Sequence, residues 1–364
     1  NLPLEDAIPT RSRLLQTLAP ESFYHEWLDH PNPGDYWDAL SPQTYLQDVD
    51  LPMLHIGGWY DTYLRGTLHL YEAMADRSAY RQQLLVGPWA HLPWGRKVGA
   101  LDFGPDAASP CDRLQIRWFD QFLKNLNTGI LNESPVQLFE MGSNHWRSVD
   151  RWTLATPTPV YLASSGLASM SDREGTLISS PPDSLAADPL VHDPWRPVPS
   201  LGGHASIPTG PHDRASLDCR TDVLTYTTDP LNEDLHLAGE AVAVLFCAAD
   251  APSFDVCAVL SNVYPNGSVY NLAQGYVRIE SARTDVQVTL QATCACIRRG
   301  HALRLSLSAA CFPAYPVNAG SGAPPGETRL IDQQIITVTV FSGGDRSSYL
   351  RLPVVVGESL DGMI

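Results

Sequence analysis

An aspartate and a histidine that could share a proton each follow a short apolar run early in the chain. Asp61 ends the segment Gly57-Gly-Trp-Tyr-Asp61, and His91 ends the segment Gly87-Pro-Trp-Ala-His91. A carboxylate beside an imidazole fixes the tautomer of the ring and stabilises its positive charge, while the imidazole takes a proton from a nucleophile and later returns it to a leaving group. These residue types therefore indicate general acid–base chemistry, although a helix cap or a packed histidine would use the same residues structurally.

The elements that must position these two residues are neighbouring strands. Apolar runs at residues 51–56 and 83–86 are separated by a segment at 64–74 whose apolar residues recur at three- and four-residue steps, which is typical of an amphipathic helix. A strand, a helix and a second strand predict a parallel pair with a helical crossover. Because catalytic groups collect at the carboxyl ends of such strands, Asp61 and His91 should meet there, in the order in which α/β-hydrolases place their acid and histidine.

The two motifs, 30 residues apart (91 − 61), resemble the acid and histidine motifs of the CocE/NonD hydrolases. That family includes cocaine esterase, α-amino acid ester hydrolases, glutaryl-cephalosporin acylase-like enzymes and X-prolyl dipeptidyl peptidases. The likeness extends from about Tyr36-Trp37 to the end of the chain. It implies that Asp61 is the acid and His91 the base of a catalytic triad. It also implies a small-molecule ester or amide, or a peptide, as substrate, and no cofactor.

The nucleophile of the family has no counterpart in this sequence. Family members carry it upstream, in a Gly-x-Ser-x-Gly segment, and the nearest match here is Gly357-Glu-Ser-Leu-Asp361. We therefore expect the chain to be the C-terminal portion of a serine hydrolase whose serine comes from an upstream segment or from a separate N-terminal polypeptide. The alternative is a non-catalytic, jelly-roll protein that binds a ligand such as a carbohydrate, or an inactive fragment. The intact surroundings of Asp61 and His91 favour the enzyme.

The resemblance and the strand pattern divide the chain into three parts. Residues 1–50 resemble the end of the helical cap of the family, and residues 51–133 the C-terminal part of the α/β-hydrolase domain. From residue 134 short β-rich runs and turn residues predict an all-β jelly-roll sandwich over 134–364. Asn266-Gly267 predicts a two-residue hairpin turn. The predicted strands lie at 136–141, 160–162, 223–227, 241–246, 256–260, 286–290, 303–307 and 335–340.

A closing helix of the hydrolase part is predicted after His91. Ser109 is a typical N-cap residue and Pro110 a typical first helical residue. Apolar residues then recur at helical spacing until Gly129, which is suited to a C-cap. We expect this helix to pack back onto the sheet.

Aromatic residues near the two catalytic candidates could line a substrate pocket. Trp59, Tyr60 and Trp89 flank Asp61 and His91 in sequence, and Tyr36 and Trp37 lie in the predicted cap. Packing explains such aromatics equally well or better. Acidic side chains in the cap, those of Glu26 and Asp35, could bind a substrate ammonium group, but the match to the family is too loose there to assign this role.

Composition excludes several classes of function. The 364 residues are 44% hydrophobic and carry a formal net charge of −16, which argues against a nucleic-acid partner because phosphate binding needs clustered Lys and Arg. No apolar run is long enough to span a bilayer, so we expect no membrane partner. A homo-oligomer remains open.

Cysteines and histidines indicate neither a disulfide framework nor a metal site. Seven scattered cysteines are better read as free thiols, which favour a reducing, cytoplasmic setting without identifying the compartment. His192, His204 and His212 lie in one irregular region, but their spacings of 12 (204 − 192) and 8 (212 − 204) match no helical or hairpin ligand pair. We therefore predict no metal.

Overall fold

The computed structural model of the chain describes residues 11–152, 155–171, 173–280, 285–324 and 327–355. The segment Gly357-Glu-Ser-Leu-Asp361, the nearest match to a nucleophile motif, lies outside these residues. None of the described helices combines the length and apolar character needed to cross a membrane. The α-helices are α1 Arg13–Leu18, α2 Phe23–Asp29, α3 Asp35–Leu40, α4 Leu64–Ala75, α5 Cys111–Leu123 and α6 Ala215–Asp218. Short 3-10 helices lie at Pro42–Thr44, Leu46–Asp48, Pro105–Ala107, Ile130–Asn132, Leu330–Asp332 and Gly344–Arg346.

The described strands form a small α/β sheet, a separate two-stranded antiparallel ribbon and a large, mostly antiparallel sheet, which confirms the predicted order of an α/β-hydrolase part and an all-β domain. The strands are β1 Met53–Tyr60, β2 Gln82–Ala90, β3 Lys97–Val98, β4 Leu101–Asp102, β5 Val136–Glu140, β6 His145–Val149, β7 Ala155–Ala163, β8 Thr176–Ile178, β9 Ala186–His192, β10 Leu224–Thr227, β11 Leu235–Gly239, β12 Val242–Ala249, β13 Ser253–Val263, β14 Val269–Glu280, β15 Asp285–Thr289, β16 Thr293–Ile297, β17 Ala302–Ser308, β18 Ile336–Ser342 and β19 Tyr349–Val355.

The first sheet contains the predicted parallel pair. Its order is β1-β2-β5-β6, and β1 and β2 run parallel with α4 as the crossover between them. Both strands are longer than predicted, because they continue through their glycines instead of ending there. Gly58 shows why: a Cβ at this position would overlap the carbonyl of Trp89 on the neighbouring strand. The glycine therefore permits a close approach of two strands.

Two further strands belong to this first sheet. The predicted strand at 136–141 exists as β5, and it pairs in parallel with β2 of the first sheet. β6 then pairs antiparallel with β5. The five residues of β5, Val136–Glu140, are all at least half buried, as expected for a strand covered on both faces.

The closing helix α5 is shorter than predicted. It begins at Cys111, whose N–H donates to Ser109 Oγ at 3.2 Å, and it ends at Leu123 instead of continuing toward Gly129. Asn125 adopts a left-handed φ of 56°, which is incompatible with continuing the helix. Trp118 is buried on the inner face. Other residues of the apolar pattern are exposed, namely Phe119, Leu123 and Leu126.

The second sheet follows the order β14-β13-β17-β10-β8-β7-β19-β12-β18-β9, with β11, β15 and β16 paired beside this path. The hairpin between β13 and β14 lies at the predicted position. Its predicted two-residue turn is wrong, because Tyr264 N–H donates to Ser268 O at 2.8 Å and encloses residues 265–267. Gly267 has a φ of 89°, the left-handed conformation that this three-residue loop requires at its last position.

The two sheets share contacts beside the predicted catalytic residues. Met141, directly after β5, bridges to Ala295 of β16. Tyr60 Oη donates to the carbonyl of Asn271 in β14 at 3.0 Å. Buried residues of both sheets belong to one continuous hydrophobic cluster. The carboxyl end of β1 is therefore held against the β-domain.

Candidate active site

The ends of β1 and β2 bring Asp61 and His91 together. Tyr60 and Ala90, the last residues of β1 and β2, are register partners. Asp61 directly follows Tyr60, and His91 directly follows Ala90. His91 Nδ1 lies 3.2 Å from Asp61 Oδ2. The geometry is that of an acid–histidine pair, formed by two residues that the sequence separates by 30 positions.

The carboxylate of Asp61 is enclosed and fixed. Its side chain is 11% exposed, and Oδ1 accepts the N–H of Tyr63 at 2.9 Å. The side chain of Gln291, from the loop between β15 and β16, donates to the carbonyls of Trp59 and Asp61 at 3.1 and 3.0 Å. One carboxylate oxygen is thus held by the backbone and the other faces the histidine.

The imidazole of His91 is supported on one side and open on the other. Its side chain is 62% exposed, and the ring packs edge-on against Tyr63 with centroids 5.0 Å apart. Trp94 Nε1 donates to the carbonyl of His91 at 2.8 Å and holds the loop after β2. With Nδ1 facing the carboxylate, Nε2 is the ring nitrogen that can exchange a proton with a bound group.

Three aromatics expected to border the pocket are interior residues. Trp59 is 1% exposed, donates from Nε1 to Phe139 O at 2.7 Å and stacks on Trp152. Tyr60 is 2% exposed and Trp89 is fully buried, with its indole N–H donating to Ala107 O at 2.8 Å. These positions argue against the pocket role for Trp59, Tyr60 and Trp89 and in favour of packing, since their polar atoms are already paired inside the molecule.

The two cap aromatics lie in the helical segment before β1, where their contacts are local. Tyr36 Oη donates to Glu26 Oε2 at 3.2 Å, and its ring stacks on His30 with centroids 4.1 Å apart. Trp37 donates from its indole to His30 O at 2.8 Å and packs edge-on against Tyr36. These contacts hold helices α2 and α3 together. The pocket role of Tyr36 and Trp37 therefore stays a prediction.

Two β-domain residues contact the chain around Asp61, and of these the sequence analysis named only His204, as a possible metal ligand. Gln291 lies 230 positions away in the chain, and no local motif marks it. His204 accepts through its backbone carbonyl the hydroxyl of Thr62, the residue after Asp61, at 2.7 Å. Burial lowers the pKa of the His204 imidazole to about 4, with a further contribution from Arg65. This ring is therefore neutral at pH 7.

The loop around His204 is closed at its base and exposed at its tip. Gly203 and Gly210 exchange backbone hydrogen bonds at 2.8 and 2.9 Å. Ile207 at the tip is 98% exposed. The loop thus presents an apolar side chain to solvent from a base that is tied to the residue following Asp61.

The three histidines weighed as metal ligands make different contacts. His192 Nε2 lies 3.1 Å from Asn318 O, whereas His204 and His212 contact Thr62 and Asn271 through backbone atoms, a carbonyl at 2.7 Å and an N–H at 2.8 Å. Among the described residues, their imidazoles do not form a group at metal-ligand distances.

A different group of donors lies where the two sheets meet. Ligand atoms of Glu140, His236 and Cys296 lie within 4.8 Å of one another. The guanidinium of Arg147 already lies 2.7 Å from Glu140 Oε1 and 2.6 Å from His236 Nδ1. Because this arginine supplies the positive charge that a metal would bring, the group is better explained as an ionic contact between β5, β6 and β11.

Comparisons with protein families identify the chain. The X-Pro dipeptidyl-peptidase C-terminal non-catalytic domain matches residues 128–351, and the X-Pro dipeptidyl-peptidase (S15 family) matches residues 5–93. Asp61 and His91 both fall within the second match. The chain belongs to the CocE/NonD hydrolase family, of which X-Pro dipeptidyl peptidases are part, as its motifs indicate.

Individual relatives agree with this assignment. Cocaine esterase from Rhodococcus sp. (strain MB1 Bresler) is 30% identical over 349 residues, which cover 90% of this chain and 60% of the esterase. Two solved structures share the fold, an aminopeptidase from the marine sediment archaeon Thaumarchaeota archaeon and a selenomethionine-labelled α-amino acid ester hydrolase. The TM-score is 0.82 for the first, at 21% identity over 94% of this chain and 62% of that one. It is 0.81 for the second, at 23% identity over 93% of this chain and 61% of that one. The chain thus spans about 60% of the length of the curated relative.

Proposed function

We propose that this chain is the C-terminal part of a serine hydrolase that cleaves ester or amide bonds through an acyl-enzyme intermediate. The observation that carries the proposal is the 3.2 Å approach of His91 Nδ1 to the enclosed carboxylate of Asp61 at the ends of two parallel strands. An acid that fixes one ring nitrogen and a histidine exposed at the other are the parts that a nucleophilic hydroxyl needs for activation.

His91 acts first as a base and then as an acid. Its Nε2 takes the hydroxyl proton as the serine oxygen bonds to the acyl carbon, and returns that proton to the oxygen or nitrogen that leaves as the ester or amide bond breaks. Water then attacks the acyl-enzyme by the same route. Asp61 accepts a hydrogen bond from Nδ1–H and stabilises the imidazolium. Tyr63 N–H holds the carboxylate of Asp61, and Gln291 holds its backbone carbonyl.

The serine comes from an upstream segment of the same protein or from a separate N-terminal polypeptide. In the described part of the chain β1 pairs with β2 on one edge, and the sheet order places it at the end of the four strands. Parallel strands are normally covered and flanked within a larger sheet. The strands that carry the nucleophile would therefore continue the sheet along the other edge of β1.

The proposed substrate class is small acyl compounds. Esters rank first because cocaine esterase is the curated relative with 30% identity, and amides and peptides remain within the same chemistry. Ile207, Leu92 and Tyr63 expose apolar side chains in the loops next to the catalytic pair, which suits an acyl or alcohol group of apolar character.

Fluorophosphonate labelling of the full-length protein tests this proposal. We expect one serine upstream of Asn1 of this chain to be labelled, as located by mass spectrometry of the digested protein, and labelling to be lost in His91→Ala. His145→Ala is the matched control, because His145 is also an exposed histidine close to an aspartate, Asp106. Labelling at an equal rate in both variants, or no labelled serine, would leave His91 without the proposed role.

A further inference from the structure

A pocket lies between helix α4 and the β-domain, apart from the candidate catalytic pair. It has a volume of about 300 Å³, and its walls come from α4, the segment after β6, and strands β7, β11, β12 and β19. Its residues are distinct from Asp61, His91 and the loop around His204. The apolar walls are formed by Leu68, Trp152, Ala155, Pro157, Ala238, Val242, Leu352 and Pro353.

The polar lining of this pocket carries both signs of charge. Glu72 on α4 and Glu240 between β11 and β12 supply carboxylates, and Arg351 on β19 supplies a guanidinium. His69 adds an imidazole at the exposed rim. The pocket is thus a small apolar space with separated negative and positive groups.

The positive and negative groups come from different elements of the pocket wall. Val242 of β12 is the register partner of Arg351 of β19, and Glu240 lies in the connection between β11 and β12, two residues before Val242. Glu240 Oε1 also lies 3.6 Å from Arg65 Nε, an exposed contact of small energetic weight.

Glu72 lies in a partly buried environment beside a second carboxylate. Burial raises the pKa of its carboxyl and the carboxylates of Glu240 and Asp76 add to the rise, whereas the charge of His69 and a hydrogen bond with Trp152 oppose it. A cation placed between Glu72 and Glu240 would relieve that unfavourable environment.

We infer that this pocket binds a small zwitterion of the α-amino acid class with an aliphatic side chain. The ammonium group lies between Glu72 and Glu240, the carboxylate pairs with Arg351, and the side chain occupies the space bounded by Leu68, Val242 and Pro353. Arginine is suited to the carboxylate because its planar guanidinium can donate two parallel hydrogen bonds.

The charge pattern distinguishes this ligand from simpler ones. An aliphatic amine would offer no carboxylate to Arg351, and an aliphatic acid would place no cation between Glu72 and Glu240. Each loses one of the two charge-assisted contacts, which are the stronger class of hydrogen bond. A zwitterion satisfies both ends of the pocket.

Calorimetric titration of the full-length protein with L-leucine tests the inference. We expect saturable binding, weakened about tenfold or more in Glu72→Gln and in Arg351→Met, since each substitution removes a hydrogen bond to a charged group. Isoamylamine and 4-methylpentanoate, which each keep one charge and the aliphatic body, should bind about tenfold more weakly than L-leucine.

Matched variants separate a local effect from a general one. Glu233→Gln and Arg113→Met change the same residue types at exposed positions of the β-domain and of α5, and L-leucine affinity should be unchanged in both. Arg351→Lys keeps the positive charge but lacks the planar guanidinium with its two parallel donors, so it should bind L-leucine with intermediate affinity. Absence of saturable L-leucine binding, or binding that is equally strong in Glu72→Gln and Arg351→Met, would overturn the inference, whether or not Asp61 and His91 are catalytic.

Discussion

Two aspartate–histidine pairs occur in different regions of this molecule, and they show what turns such a pair into a candidate for catalysis. Asp61 and His91 meet at the ends of two parallel strands, with Nδ1 and Oδ2 3.2 Å apart. Asp106 and His145 lie at the surface near the 3-10 helix Pro105–Ala107 and strand β6, 4.0 Å apart. The residue types are the same, and the distances differ by less than an ångström.

The surroundings of the two carboxylates differ far more than the distances. The side chain of Asp61 is 11% exposed, whereas that of Asp106 is 66% exposed. Asp61 has a backbone N–H on one oxygen, and Gln291 braces the chain on either side of it. Water screens the electrostatic interaction of an exposed ion pair, so such a pair contributes little free energy. The interaction of an enclosed, oriented carboxylate with its histidine is screened less.

The largest expected difference between the pairs is in catalysis by the carboxylates. Asp61→Asn should lower kcat by about 10⁴-fold, because an amide favours the wrong tautomer of the histidine and cannot stabilise the imidazolium. Asp106→Asn should leave kcat within about twofold of the wild type, as expected for an exposed pair. Hydrolysis of a chromogenic acyl ester by the full-length protein measures both. Similar losses in the two variants would remove the distinction between the pairs.

The strands that hold the first pair can be tested at two glycines. Gly58→Ala should lower the free energy of unfolding by about 3 kcal/mol, because the added methyl group overlaps the backbone of Trp89 and forces β1 and β2 apart. Gly66 on α4 has open space where a Cβ would lie, so Gly66→Ala should stabilise the protein by up to about 1 kcal/mol. Urea denaturation gives both values, and destabilisation of the same size in the two variants would mean that close strand approach is not the cause.

Gln291 links the β-domain to the first pair. Gln291→Met leaves the carbonyls of Trp59 and Asp61 without their side-chain donor, which should cost about 2 kcal/mol in unfolding free energy and about tenfold in kcat. Gln287→Met, at an exposed position of β15, should change stability by less than about 0.5 kcal/mol. A loss of stability with kcat unchanged would show that Gln291 supports the fold without positioning Asp61.

A dependence of stability on pH is expected at His204. Its pKa is about 4 in the folded protein and about 6.5 in the unfolded chain, so the unfolded state binds more protons between these values. His204 should therefore not reduce the free energy of unfolding well above pH 6.5. Preferential protonation of this residue in the unfolded chain should lower that free energy by up to about 2 kcal/mol between pH 7 and pH 5.

Substitution of His204 isolates this contribution from that of other buried histidines, such as His55 and His192, whose pKa values burial also lowers. His204→Gln should flatten the fall in unfolding free energy between pH 7 and pH 5, and His145→Gln should leave it as in the wild type. Chemical denaturation at the two pH values provides the comparison. An unchanged slope in His204→Gln would show that His204 does not resist protonation in the folded state.

Sequence alone predicted the part of the site that depends on local pattern. The order of strand, helix and strand around Asp61 and His91 could be predicted from the apolar runs and the helical spacing between them. Parallel strands that are covered on both faces are continuously apolar, so their own sequence marks them. The glycines were harder to interpret. Gly58 continues a strand at a close approach, which depends on the backbone of Trp89 across the sheet and cannot be read from its own neighbours.

The contacts between distant segments could not be predicted in this way. Gln291 reaches Asp61 from 230 residues away, and β5 joins the first sheet although its sequence resembles the β-rich runs that follow it. Trp59 and Trp89 illustrate the same limit, because only the packed structure shows that their indoles face the interior. The family resemblance supplied the roles of Asp61 and His91, which the residue pattern by itself left open.

The most direct test of the account compares the two histidines. Ester hydrolysis by the full-length protein should fall by at least about 10⁴-fold in kcat/KM for His91→Ala, because proton transfer to and from the serine is lost. His145→Ala should match the wild type, since its pair is exposed and lies outside the proposed site. If His91→Ala retained wild-type kcat/KM, Asp61 and His91 would be a structural pair, and the account of this chain as the acid–base part of a serine hydrolase would be wrong.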